Sequence, residues 1–454
     1  MTALTIEAAR IRALDASRVR SLAADISVSA ALLWWATTET WSIGGQQPRV
    51  LSIAAVLVTL ASVLVRPWER VPVMGSAAVL LLGVAAFLVP LLAPTGMSAA
   101  GGAATYVVAG QLGLLVCAWA RDVGRRRLVL AVVVAGGLLE MAKGYLAWWA
   151  GRFPDKVFVG TFYWHNPTGA FLAATASASL VLVVSREPRL GTLGWFTFPL
   201  CVAGVRYTTS RASQLCLLAV ALVVAIVCLY RAVRHRTAVE VLRLVRFGAL
   251  AAAAAACVHV LSGPPFFTTH ATGVVDASRD QSVATNAGHR LEFWHQAWSN
   301  FLHWPWSGAG YDSFASATEV VTPRHSVASS YVHNGLLQAL NDGGLLLTVP
   351  LLLLAGIVSV AVCARIRRRL MDAPSLAVLA ALAVACVHGL LDFDWTYPSL
   401  LAYVGLLAGL LCVPEGIAVR RRSLIGFSTV ALLLLAAVTA RHGYVIQSRP
   451  LEGA

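Results

Sequence analysis

Charge is what this chain has least of. Of its 454 residues, 12% are charged and 58% are hydrophobic, where an ordinary soluble protein carries about 25% charged residues. Mean hydropathy is +0.74, and a water-soluble globular fold is excluded. Lysine is nearly missing: Lys143 and Lys156 are the only two, so arginine carries the positive charge. No internal repeat at a fixed period is present, which weighs against the paired halves built into many secondary transporters. The eight cysteines all fall within or at the ends of apolar runs. They read as small apolar fillers, not as a disulfide framework or a metal cluster. No small-residue cleavage site follows the basic N-terminal segment, so the first apolar run reads as an uncleaved anchor.

What is present is a succession of apolar runs, each near the roughly 20 residues a helix needs to cross a bilayer. Candidate spans are 23–40, 49–65, 72–93, 103–120, 128–150, 166–184, 192–206, 211–230, 247–262, 344–363, 373–391, 396–413 and 423–440. The expected fold is therefore an all-α polytopic membrane protein with about 12 or 13 transmembrane helices, a single integral domain over residues 1–454. Alternate connections hold arginine clusters, such as Arg121, Arg125, Arg126 and Arg127, or Arg365, Arg367, Arg368 and Arg369. The opposite connections are sparse in basic residues. Positive charge retained on the cytoplasmic side puts the N-terminus in the cytoplasm and the large 263–343 loop outside. The formal charge of +14 is then a topology signal, and nucleic acid is not an expected partner.

The 263–343 loop is the one long polar segment. Leu291, Trp294, Trp298 and Phe301 recur at helical spacing, which predicts an amphipathic helix from Asn286, as N-cap, to His303. Such a helix suits the membrane interface. Ser329 or Ser330 is placed to cap a second helix running through His333 to Asn341, with Gly343-Gly344 ending it. His333 is a candidate general base, because imidazole exchanges a proton near neutral pH. Arg211 and Arg290 lie at predicted membrane edges, where a guanidinium fork suits a phosphate. Taken singly, each is equally well a helix-end or solvated residue. His289, His295, His303 and His325 lack metal-ligand spacing such as H-E-x-x-H. Asp392 and Asp394 form a D-x-D pair one turn after His388, suited to positioning or helix capping and less to a cation. Glu140 and Lys143, at i and i+3 inside a span, are expected to neutralise each other. The tryptophans gather toward one side, including Trp41, Trp164, Trp294, Trp298, Trp304, Trp306 and Trp395. They read as an interfacial belt or as stacking platforms for sugar rings.

Six blocks occur in a fixed order: G-T-F-Y-W-H-N-P-T-G at 160–169, T-T-S-R-A at 208–212, H-R-L-E-F-W-H-Q-A-W at 289–298, P-W-S-G-A-G-Y-D-S-F at 305–314, H-N-G-L-L-Q-A-L-N-D-G-G at 333–344 and H-G-L-L-D-F-D-W at 388–395. Over residues 155–415 this pattern resembles the O-antigen ligase and O-antigen polymerase superfamily of bacterial envelope glycosyltransferases. The resemblance implies a glycosyltransferase C-like membrane enzyme in the bacterial cytoplasmic membrane, with its active site on the periplasmic side. It implies transfer of a glycan from undecaprenyl pyrophosphate to an acceptor hydroxyl, on a glycan or a lipid-linked sugar, with no metal or other cofactor. It implies that Arg211 and Arg290 contact the pyrophosphate and that His333 is the base. Asn166, Ser210, Asn334 and Asp394 belong to the same blocks and are expected to support them. The region before 155 matches nothing in that pattern.

Pyrophosphate is a good leaving group, so the chemistry needs charge stabilisation and a proton acceptor rather than a strong acid. Single displacement at the anomeric carbon inverts configuration. Ligation to a lipid or core sugar, polymerisation of repeat units, and ligation to protein all remain open. A transporter or flippase of lipid-linked sugars is the alternative of another class, and a non-catalytic scaffold is the third.

Overall fold

The computed structural model describes residues 3–38, 48–94, 101–149, 158–162, 164–261, 283–324, 327–413, 426 and 428–438, and among these every regular element is helical. Lys156, His325, Trp41 and the first part of the 263–343 loop, through 282, lie outside the described residues.

Every predicted span falls on a helix. In chain order these are α1 (Ala3–Thr38), α2 (Pro48–Val65), α3 (Val73–Leu92), α4 (Gly101–Trp119), α5 (Val123–Trp149), α6 (His165–Val184), α7 (Leu190–Tyr207), α8 (Arg211–His235) and α9 (Ala238–Leu261). They continue with α10 (Val283–His303), α11 (Phe314–Val321), α12 (Gly335–Arg367), α13 (Ala373–Gly389), α14 (Pro398–Leu411) and α15 (Ser428–Val438). Among the described residues, 8 helices are long and apolar enough to cross a membrane, and α13, α14 and α15 are shorter apolar helices. The chain is a polytopic α-helical membrane protein. Helices are what such sequences must form, because in lipid each backbone amide needs a partner within its own segment.

The bundle is built around α6. Its Ala, Ser and Thr-rich sequence is buried almost throughout and packs against α7, α13 and α8. Small residues also let α14 cross α4 closely: a Cβ added at Gly405 or Gly409 would meet the carbonyl oxygen of Ala109 or Gly113. Spaced small residues bring transmembrane backbones together in this way. At the periphery, α8 and α9 turn Leu218, Leu222, Ile226, Val241 and Val245 outward, where lipid replaces core.

Several boundaries differ from the sequence expectation. Helix α9 begins at Ala238 rather than 247, so Arg243 lies on the helix, where it and Arg231 clamp Glu240 at 2.6 and 2.9 Å. Helix α10 begins at Val283, ahead of the expected cap Asn286. Its buried face is Phe293, Gln296, Ala297 and Asn300, while Leu291 and Trp298 are exposed. Polar contacts decide that rotation: Asn300 Nδ2 donates to Asn341 Oδ1 at 3.0 Å and to Thr318 Oγ1 at 3.2 Å. Glu140 is held by Thr161 among the described contacts. Its carboxylate accepts from Thr161 N at 2.9 Å and Thr161 Oγ1 at 2.6 Å, which anchors the 158–162 segment inside the bundle.

The predicted stop at Gly343-Gly344 is a break, not an end. Gly344 adopts φ 54°, ψ −149°, and the helix resumes beyond it. The 305–310 turn supplies the bonds the break loses: Leu345 N donates to Pro305 O, Leu346 N to Trp306 O, Ala309 N to Asn341 O and Gly310 N to Asp342 O. A Cβ at Gly344 would lie 2.6 Å from both Pro305 O and Trp306 O, so the close approach needs glycine.

Candidate active site

The residues singled out from sequence gather at one end of the bundle, where α6, α8, α12 and α14 begin and α13 ends. Asp392, in the turn after α13, is the hub. It is fully buried. Its Oδ1 lies 2.9 Å from His333 Nδ1. Its Oδ2 accepts from Asn166 Nδ2 at 2.5 Å and from Arg290 Nη2 at 3.2 Å. Arg290 also donates to the Leu391 carbonyl. Three residues far apart in sequence, on α6, α10 and the approach to α12, thus share one carboxylate.

His333 is presented by local backbone geometry. The expected helix through it does not form: Asn334 is the N-cap of α12, accepting from Leu336 N and Leu337 N, each at 3.0 Å. Asn334 Nδ2 also donates to Leu390 O at 2.8 Å, tying the cap to the Asp392 turn. Ser329 holds its own turn, accepting from Tyr331 N at 3.1 Å. His333 itself has φ 56°, a left-handed conformation uncommon outside glycine and worth a functional reading when the surroundings enforce it. The surroundings do so here. Its ring stacks on Phe293 at 5.6 Å and meets the edge of Phe393 at 4.8 Å, and its carbonyl accepts from Trp294 Nε1 at 3.3 Å.

Burial alone would push the Asp392 carboxyl up. The hydrogen bond and charge of His333, with the Arg290 guanidinium, outweigh it and hold the group at about 2. Asp392 is therefore an anion that fixes the His333 tautomer. With Nδ1–H donated to Asp392, the lone pair of His333 sits on Nε2, which makes no hydrogen bond to a described residue. The ring side chain retains 18% exposure and Arg290 retains 23%, so both offer a face to a ligand.

Asp394 faces the other way. Its Oδ2 lies 2.5 Å from His388 Nδ1, and burial pushes its carboxyl up, opposed chiefly by the His388 charge. Ser213 Oγ is 2.9 Å and Ser210 Oγ 3.5 Å from His388 Nε2. The D-x-D pair therefore serves two different histidines and does not present a joint cation site. Ser210 is the N-cap of α8, and Arg211 opens that helix with its side chain exposed. The structure thus brings Asn166, Arg290 and His333 onto Asp392, ties Asn334 to Leu390 near the same turn, and links Ser210 and Asp394 through His388. Arg211 stands next to that second set and makes no ion pair to a described residue. Sequence reading under-rated Asp392 and passed over Ser213 and Phe393. The D-x-D spacing next to His388 was the available signal.

Residues 196–352 match the family model for O-antigen ligase. Over that stretch, about a third of its length, the chain is similar to the O-antigen ligase family. No curated protein matches it. The segment matched to the ligase family supplies Ser210, Arg211, Arg290, His333 and Asn334. Asn166, His388, Asp392 and Asp394 come from outside it. The similarity supports glycosyl transfer of the O-antigen ligase or polymerase kind in general.

Proposed function

We propose that the protein transfers a glycan from undecaprenyl pyrophosphate to an acceptor hydroxyl, with inversion and without a metal ion, on the periplasmic side of the cytoplasmic membrane. The observation that carries this reading is the His333–Asp392–Arg290 cluster, in which a base and a guanidinium are oriented by one buried carboxylate. His333 Nε2 takes the proton of the acceptor hydroxyl. The acceptor oxygen forms its bond to the anomeric carbon as the bond from that carbon to the pyrophosphate oxygen breaks. The electron pair leaves with the pyrophosphate. Asp392 stabilises the imidazolium as it forms, a role carboxylates play beside catalytic histidines generally.

Arg290 uses two N–H groups on protein acceptors and, with five in all, has others for a phosphate. Arg211 adds a second cation at the N-terminus of α8, where the helix dipole also favours an anion. The first turns of α6, α8 and α12 meet at this end, which strengthens that preference. Pre-organised charge of this kind is the largest lever for a reaction whose leaving group departs as an anion.

Purified protein supplied with an undecaprenyl-pyrophosphate glycan and a lipid-linked sugar acceptor tests the reading. The expected product carries the glycan at an acceptor hydroxyl with inverted anomeric configuration, and free undecaprenyl pyrophosphate is released. Passage of intact donor across a vesicle membrane with no transfer would replace the enzyme by a transporter.

A further inference from the structure

The Asp394–His388–Ser213 arrangement has the hydrogen-bond order of a hydrolase triad, at 2.5 and 2.9 Å. It cannot act as one. His388 and Ser213 have no exposed surface and Asp394 only 2%, whereas a serine nucleophile must meet its substrate. The burial is enforced from α6, where a Cβ added at Gly169 would lie 2.5 Å from Ser213 Oγ and 3.0 Å from Ser210 Cβ. Four polar side chains in an apolar bundle are costly unless each is paired, and when paired they fix a unique arrangement.

We propose that Asp394, His388, Ser213 and Ser210 form a buried positioning relay that locks the first turn of α8, and hence Arg211, to the turn that carries Asp392. His388 is the joint. Its Nδ1 grips Asp394, two residues from the carboxylate that orients His333. Its Nε2 grips Ser213, which donates to Ser210 Oγ at 2.8 Å, one residue from Arg211. The two halves of the proposed machinery, the cation on α8 and the base above α12, are otherwise carried by elements separated by more than a hundred residues. Through His388 they share one rigid reference. None of the four relay residues touches substrate. Their role is to set a distance.

The relay takes its kinetic meaning from the proposed transfer reaction, but its mechanics can be tested apart from it. Asparagine places an amide nitrogen near the Nδ1 position and glutamine near Nε2, so His388→Asn keeps the Asp394 half and His388→Gln keeps the Ser213 half. Hydrogen exchange on the full-length protein is expected to accelerate at the amides of 211–214 in His388→Asn and at those of 390–396 in His388→Gln. With the undecaprenyl-pyrophosphate glycan as donor, His388→Asn is expected to raise donor KM about tenfold with a smaller fall in kcat. His388→Gln is expected to lower kcat about tenfold with a smaller rise in KM, the size of one lost hydrogen bond. Exchange rising equally in both segments in both variants, or in neither, overturns the relay. Equal changes of KM and kcat in the two variants overturn it as well. Selective exchange combined with a wild-type protein that transfers no glycan from this donor supports the relay and sinks the reaction.

Discussion

Asp392 reaches His333 across 59 residues of chain, with Oδ1 of one 2.9 Å from Nδ1 of the other. The contact fixes which imidazole nitrogen is free, and it makes the histidine's orientation depend on a residue from a different element.

His333→Ala is expected to remove transfer while leaving the detergent-solubilised protein folded, with a lowered melting temperature because buried Asp392 loses a partner. A general base contributes about 10²–10⁴-fold in rate. A variant within a few-fold of wild type would take the base role from His333.

Asp392→Asn is expected to lower kcat by about 100-fold or more, since an amide presents the wrong partner to Nδ1–H and to Asn166. Stability carries a second signature. The carboxyl is held at about 2 against an ordinary value of 3.8. Its contribution is therefore complete above the unfolded value and is lost as pH falls through the folded one. Melting temperatures measured from pH 5 down to pH 2 should fall for the wild type between about pH 4 and pH 2. The gap between wild type and Asp392→Asn should narrow over the same window.

Arg211→Lys is expected to lose transfer nearly as fully as Arg211→Ala, about 10²-fold or more, because an ammonium cannot reproduce a two-pronged contact to a pyrophosphate. Steady-state kinetics on both variants decide this. Full activity in the lysine variant would reduce Arg211 to a point charge.

Chelation is expected to leave transfer unchanged. Asp392 is engaged by His333, Arg290 and Asn166, and Asp394 by His388, so neither carboxylate is arranged for a shared cation. Loss of activity in EDTA, restored by a divalent ion, would reverse that conclusion.

Gly160→Ala is expected to destabilise the protein by about 1–3 kcal/mol, read as a lowered melting temperature. Gly160 has φ 55°, and a Cβ there would collide with Glu140 Oε1. The bonds from Thr161 to Glu140 would be strained together, and with them the lead into Asn166.

The membrane spans were legible because hydropathy is a local property, and each predicted run lies on a helix. The ends were less so. Asn334 caps α12 where Ser329 or Ser330 was expected, since a cap depends on which residue turns extended, and Phe293 and Phe393 decide that by holding His333. Arg290 illustrates the same limit. As a helix residue it looked solvated, but its carboxylate acceptor lies 102 positions away. Block order singled out Asn166, Ser210, Arg290, His333, Asn334 and Asp394 together, and the structure places them at one end of the bundle. Block order could not show that Asn166, Arg290 and His333 meet at Asp392 while Ser210 and Asp394 meet at His388, because convergence is a product of packing against α6 and leaves no periodic trace.

The four backbone bonds between the 305–310 turn and the broken part of α12 make the connecting helix α10 a section of wall instead of a flap. Swinging it aside would strand amides and carbonyls that have no other partner at that depth. In the proposed reaction, selection among glycans would then rest on contacts with a fixed surface and not on a closing motion.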